Sequence, residues 1–131
     1  MAFDAETMIT MADGQFVAAG DLEKGDEVLA FGAKDKKECT AKVLETKELP
    51  AQKVVKVRIG EEIACSEDQL FIMKDFSSKK AVDLRPGDLV LKEGLLEAAV
   101  KSVRAVEKPA ELIALKTDKG TFVAEGVFVS E

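Results

Sequence analysis

An internal duplication constrains this chain more than any other feature. The segment Asp21-Leu22-Glu23-Lys24-Gly25-Asp26-Glu27-Val28-Leu29-Ala30 aligns without gaps to Asp83-Leu84-Arg85-Pro86-Gly87-Asp88-Leu89-Val90-Leu91-Lys92, 62 residues later, with six of the ten positions identical. Downstream, Glu48-Leu49-Pro50-Ala51 is matched by Glu107-Lys108-Pro109-Ala110, and a hairpin pattern follows each, from Val54 to Cys65 and from Leu112 to Ala124. Two copies are too few for a solenoid, and a half of roughly sixty residues buries too little apolar surface to stand alone. The expected solution is one domain, residues 1–131, whose halves, roughly 16–66 and 78–125, pack about a pseudo-twofold axis. Within the shared Asp-Leu-x-x-Gly-Asp element, the Leu should plug the core and the Gly should adopt a turn conformation that a Cβ would obstruct. The second Asp should accept hydrogen bonds from nearby backbone N–H groups. These six shared residues therefore read as structural rather than catalytic.

The remaining pattern is that of an all-β protein. Short β-type runs such as Met8-Ile9-Thr10-Met11, Glu27-Val28-Leu29-Ala30-Phe31, Val54-Val55-Lys56-Val57-Arg58-Ile59 and Leu112-Ile113-Ala114-Leu115 alternate with Gly-containing turns. Helix is confined to single turns at Ala18-Ala19-Gly20-Asp21-Leu22 and Lys80-Ala81-Val82-Asp83-Leu84, too short to nucleate without tertiary contacts. The stretch Leu95–Val103 is ambiguous in its first half, where Leu and Ala favour helix, and reads as strand in its second. Lys34-Asp35-Lys36-Lys37 and Ser77-Ser78-Lys79-Lys80 read as charged, solubilising loops.

Composition then removes classes of function. With no His among 131 residues, His-ligated zinc, Ser-His-Asp and Cys-His catalysis and a histidine pH switch are excluded. The 19 basic against 25 acidic residues give a net charge of −6, the wrong sign for a nucleic-acid surface. Cys39 and Cys65 are not in a metal-ligand spacing and read as free thiols of a cytoplasmic protein, Cys65 as a small buried hydrophobe at a strand end and Cys39 as an exposed or edge-strand residue. No apolar run approaches the roughly 18–20 residues that span a bilayer, and Met1-Ala2-Phe3-Asp4 carries neither the basic start nor the hydrophobic stretch of a leader. The chain is expected to be soluble, unexported and monomeric, with no metal or cofactor.

A turn-rich β domain with an internal twofold, a Gly-Asp-x-Val-Leu element built into each half and Phe-Val-Ala-Glu-Gly-Val-Phe-Val near the end resembles the Hint superfamily of inteins, hedgehog autoprocessing domains and bacterial intein-like domains. The likeness runs from Ala2-Phe3-Asp4-Ala5-Glu6-Thr7-Met8-Ile9 to Val129-Ser130-Glu131. It implies a flattened horseshoe of short strands that brings both chain ends to one cleft. It also implies acyl transfer within one chain, acting in cis on flanking polypeptide. In such domains a leading Cys or Ser attacks the preceding carbonyl, a Thr-x-x-His block polarises and protonates the scissile amide, and a terminal His-Asn pair cleaves the other end by side-chain cyclisation.

Carried onto this sequence, the resemblance puts the nucleophile position at Ala2, whose methyl cannot attack a carbonyl. The Thr-x-x-His block falls on Ser66-Glu67-Asp68-Gln69. Ser66 keeps a hydroxyl that can hydrogen-bond a backbone group, whereas Gln69 can orient a carbonyl and cannot deliver a proton near neutral pH. The terminal pair falls on Ser130-Glu131, where the imidazole is gone and a carboxylate replaces the cyclising amide. Each reactive position of the family is thus replaced while its fold-making positions are kept, so the expectation is an inactive autoprocessing domain. A degenerate Hint domain, a deliberately inactivated one and a β-rich binding or structural module of another kind all remain open at this point. Glu67-Asp68 and the Asp83/Asp88 pair read as solvated turn residues rather than an acid–base pair or cation site.

Overall fold

The computed structural model describes all residues from Met1 to Glu131 as fourteen strands and two single-turn 3₁₀ helices. The first half carries β1 (Met8–Thr10), β2 (Phe16–Ala18), β3 (Glu27–Gly32), β4 (Lys37–Gln52), β5 (Val54–Arg58) and β6 (Glu62–Ser66). The second carries β7 (Leu70–Ile72), β8 (Ser78–Lys80), β9 (Leu89–Lys92), β10 (Leu96–Ala99), β11 (Ser102–Ala105), β12 (Ala110–Thr117), β13 (Thr121–Ala124) and β14 (Val127–Ser130). The 3₁₀ turns, Ala19–Asp21 and Ala81–Asp83, lie where the sequence allows helix and nowhere else.

The duplication is visible bond by bond. Met11 N–H donates to the Gln15 carbonyl at 2.8 Å, and Met73 repeats the bond to Ser77 at 2.8 Å. Ala19 N–H reaches the Thr7 carbonyl, and Ala81 N–H reaches that of Gln69, both at 2.8 Å. Gly25 and Gly87 sit at φ +95° and +94°, a region open to glycine at little cost, and each donates to a backbone carbonyl, that of Val43 in β4 or of Val100 just after β10. Asp26 Oδ2 accepts the Glu23 N–H and Asp88 Oδ2 the Arg85 N–H, both at 2.9 Å, while Leu22 and Leu84 are buried. The correspondence also extends upstream of the repeated sequence. Asp4 N–H donates to the Ala64 carbonyl at 3.0 Å and Ser66 N–H to the Ala2 carbonyl at 2.9 Å, a reciprocal pair related by the same 62-residue offset. The pseudo-twofold axis therefore passes between the paired residues Phe3 and Cys65.

The strands form an eight-stranded sheet, β10-β9-β14-β13-β1-β2 with β7 and β8 attached through β14, and two three-stranded sheets, β11-β5-β6 and β12-β4-β3. Phe3 stitches the two smaller sheets, bridging Ile113 of β12 on one side and Cys65 of β6 on the other. Its ring meets that of Phe122 edge-on at 5.6 Å and belongs to the large core cluster around the axis, with Ile9, Leu22, Val57, Ile63, Leu84 and Val129 among its members. Each such side chain, fully buried, contributes on the order of 1.5–3 kcal/mol. Pro50 lies in β4 where the register against β12 shifts between Ala110 and Leu112, so a bulge absorbs the residue that has no N–H to offer.

Three local expectations need correction. Ser78–Lys80 is not a loop but β8, paired to β7, with Lys79 drawn onto Asp88 at 2.9 Å. The first half of Leu95–Val103 is strand as well, because β10 pairs along β9 and its helix-favouring Leu and Ala are overruled by that ladder. Leu112–Ala124 is not a hairpin: β12 stays with β4 while β13 crosses into the large sheet and pairs β14 and β1. No helix is long and apolar enough to cross a membrane.

Candidate functional site at the meeting of the chain ends

The first residues are held from both sides. Phe3 N–H donates to the Ile113 carbonyl at 2.9 Å and the Ile113 N–H returns the bond at 2.7 Å. Ala2 is 1% exposed, its methyl packed with Val54 and Leu112, and only a small side chain fits among them. Ala2 N–H donates to Ser66 Oγ at 3.0 Å, and the Ser66 hydroxyl donates onward to Asp68 Oδ1 at 2.7 Å. The Met1 ammonium stands 3.3 Å from Asp68 Oδ1 and 3.4 Å from Oδ2. Partial burial pushes the Asp68 carboxyl up, but the Ser66 hydroxyl and the Met1 ammonium together more than offset it, and its pKa falls below the ordinary carboxylate value.

Gln69 is also 1% exposed, and it faces the other end of the chain. Its Nε2 donates to the Ser130 carbonyl at 2.6 Å and to the Leu70 carbonyl at 3.1 Å, clasping the pair that Ser130 of β14 and Leu70 of β7 make across the sheet. The Ser130 hydroxyl donates to the Gly120 carbonyl at 3.3 Å. Glu131 is held by its N–H to Gly120 at 3.0 Å, and its Oε2 accepts the Thr117 N–H at 2.8 Å. Met1 and Glu131 line the same open cleft of about 450 Å³, whose walls include Glu45, Lys47 and Leu115. Ala2, Ser66, Gln69, Ser130 and Glu131 are thus brought to one region, in two groups. Ser66 belongs with Ala2, and Gln69 belongs with Ser130.

The other candidate groups have structural places. Cys65 is fully buried against the axis, and burial, helped by the Asp68 charge, pushes its thiol up to about 12, so it supplies no thiolate near neutrality. Cys39 is half-buried in β4, beyond the reach of β12, and burial raises its thiol too. Asp83 lies in the second 3₁₀ turn, and Asp88 is engaged by the Lys79 ammonium and the Arg85 N–H, which hold its carboxyl below the ordinary value. No three His, Cys, Asp or Glu groups stand together in a way that could hold a metal ion. Asp68 is the member of the site that sequence reasoning passed over as a solvated turn residue. The available signal was its position two residues after Ser66, the spacing at which an Asp carboxylate and a Ser hydroxyl meet in a turn.

No protein-family model and no curated protein sequence matches this chain. Solved structures do. A bacterial intein-like domain from Clostridium thermocellum superposes with a TM-score of 0.90 at 29% identity, covering 99% of this chain and 98% of that one. A DnaB intein from Synechocystis sp. PCC 6803 gives a TM-score of 0.90 at 22% identity over 98% of this chain and 96% of that one. The gp41-1 intein gives 0.81 at 18% over 99% and 98%. The fold is the all-β, pseudo-twofold Hint fold, and the likeness to these structures runs along the whole chain.

Proposed function

We propose that this chain is a Hint-type autoprocessing domain, built to act in cis on polypeptide joined to its two ends, whose reactive side chains have been replaced. The observation that carries the reading is the convergence of both ends on one pair of neighbouring residues: Ser66 on the Ala2 amide and Gln69 on the Ser130 carbonyl. As it stands, the site lacks the groups for an acyl shift. Ala2 offers a methyl, Gln69 an amide, and Glu131 a carboxylate already engaged by the Thr117 N–H.

The test places one reporter protein ahead of residue 2 and another after residue 131. The unchanged domain should leave the fusion intact. Ala2→Cys with Gln69→His should give a thioester that added thiol cleaves, and Ser130→His with Glu131→Asn should add release of the downstream reporter. A restored fusion that stays inert under thiol would instead favour a non-catalytic β module.

A further inference from the structure

We propose that Ser66 and Asp68 form a receptor for an α-ammonium group at residue 2, the amine set free when the bond between residues 1 and 2 is shifted or broken. The proposal rests on the autoprocessing reading for its biological use, but its geometry does not. Ser66 Oγ gives its only proton to Asp68 at 2.7 Å, so towards Ala2 N, 3.0 Å away, it can only accept. An amide uses that acceptor with its single N–H. An ammonium in the same place keeps that bond and adds a positive charge facing the Ser66–Asp68 pair.

The structure already shows Asp68 doing this for a neighbouring group. The α-ammonium of Met1, one residue upstream, is held by both carboxylate oxygens, at 3.3 Å and 3.4 Å, and no side-chain cation pairs with Asp68. Ala2 and Ser66 are both 1% exposed, so a charge formed there is poorly screened by water and interacts strongly with a nearby carboxylate. Gln69, at the family's proton-donor position, is turned to Ser130 and contributes nothing at residue 2.

In a chain carrying Ala2→Cys, the sulfur would bond to the carbonyl carbon of the upstream residue and the C–N bond would break, leaving its electron pair on nitrogen. That nitrogen takes up the proton lost by the thiol and one more from water, and becomes the ammonium that Asp68 stabilises. Asp68 acts here through charge and through Ser66. It is a positioning residue and does not touch the carbonyl.

Two measurements test this separately. In protein prepared with Ala2 as its first residue, the pKa of the Ala2 α-amine is followed by NMR. Asp68→Asn should lower it by about one unit, a tenfold loss of proton affinity, and Ser66→Ala should lower it less. An unchanged amine pKa in Asp68→Asn overturns the proposal. The Asp68 side chain is 59% exposed, so neither folding nor packing should stand in the way of that variant. In the reporter fusion carrying Ala2→Cys and Gln69→His, thiol-dependent release should fall about tenfold with Asp68→Asn and recover with Asp68→Glu. An undiminished release with Asp68→Asn counts against the proposal. If the amine pKa shifts as expected and the fusion releases nothing even with Asp68 intact, the receptor stands and the autoprocessing reading fails.

Discussion

Thr121 does the work of a missing strand, and removing its hydroxyl should be costly. Its side chain accepts the Phe31 N–H at 2.9 Å and donates to the Phe31 carbonyl at 2.8 Å, joining β13 to β3, which share no backbone ladder. All three groups are buried. Thr121→Val keeps the shape and leaves two backbone polar groups bare, each costing roughly 1–3 kcal/mol, so about 2–6 kcal/mol should be lost. Against a total stability of about 5–15 kcal/mol for a domain of this kind, that is a large fraction. Thr121→Ser keeps both bonds and loses one methyl, worth about 1 kcal/mol. Urea unfolding reads the difference directly. With a slope of about 1.5 kcal/mol/M, the Thr121→Val midpoint should move down by roughly 1.3–4 M. A Thr121→Val protein as stable as the Thr121→Ser one would refute the reasoning, because the orphaned amide and carbonyl would then cost no more than a single methyl group.

Two further outcomes follow from the backbone and the buried thiol. Phe76 sits at φ +70°, where its repeat partner is Gly14 at φ +87°, and is held there by stacking on Phe31 at 5.5 Å and by the Lys36 ammonium at 5.2 Å from its ring. Phe76→Gly should therefore unfold at a higher temperature than Phe76→Ala, by about 1 kcal/mol of left-handed strain relieved, and the reverse ranking would contradict the assignment. Burial holds the Cys65 thiol at about 12 instead of its ordinary 9.0, so above pH 9 the unfolded chain binds fewer protons than the folded one and stability falls as pH rises. Relative to Cys65→Ala, the loss between pH 9 and pH 12 should approach about 4 kcal/mol by chemical denaturation, and a flat difference would show that the thiol is not sealed.

The parts of this molecule that were legible in its sequence are those where one residue type is physically required. Gly25 and Gly87 need a positive φ, Leu22 and Leu84 need a core, and Asp26 and Asp88 need to be short acceptors, so these positions kept their identities in both halves. The upstream arm of the repeat was invisible for the opposite reason. Asp4-Ala5-Glu6-Thr7 and Ser66-Glu67-Asp68-Gln69 share no residue at matching positions, yet they make the same bonds, because the bonds run through backbone N–H and C=O groups that any side chain supplies. The crossing of β13 away from β12 was equally hidden. Lys119-Gly120 reads as a tight hairpin turn, and which sheet accepts the next strand is decided by its pairing with distant Ile9 of β1 and with the following strand β14, not by the turn. Asp68 was passed over because a carboxylate in a turn is ordinarily solvated, and only the arrival of Ser66 and Met1 gives it a role.

That division explains how the arrangement of the chain ends can be kept largely independent of the side chains the site carries. The chain ends are fixed by backbone atoms: Phe3 by Ile113, Ala2 and Asp4 by the strand ending at Ser66, Glu131 by Gly120. None of these bonds depends on which side chain residue 2 carries, beyond its being small enough for the space left by Val54 and Leu112. A Cys adds one sulfur to a methyl already 1% exposed, so the relevant question for Ala2→Cys is room and not orientation. Overpacking a filled core costs about 1–3 kcal/mol, whereas a χ1 rotamer that turns the sulfur away from Val54 and Leu112 would avoid that cost. The variant's stability therefore reports the rotamer before any reaction is tried. A loss below about 1 kcal/mol places the sulfur away from Val54 and Leu112, and a loss of several places it among them, in the core.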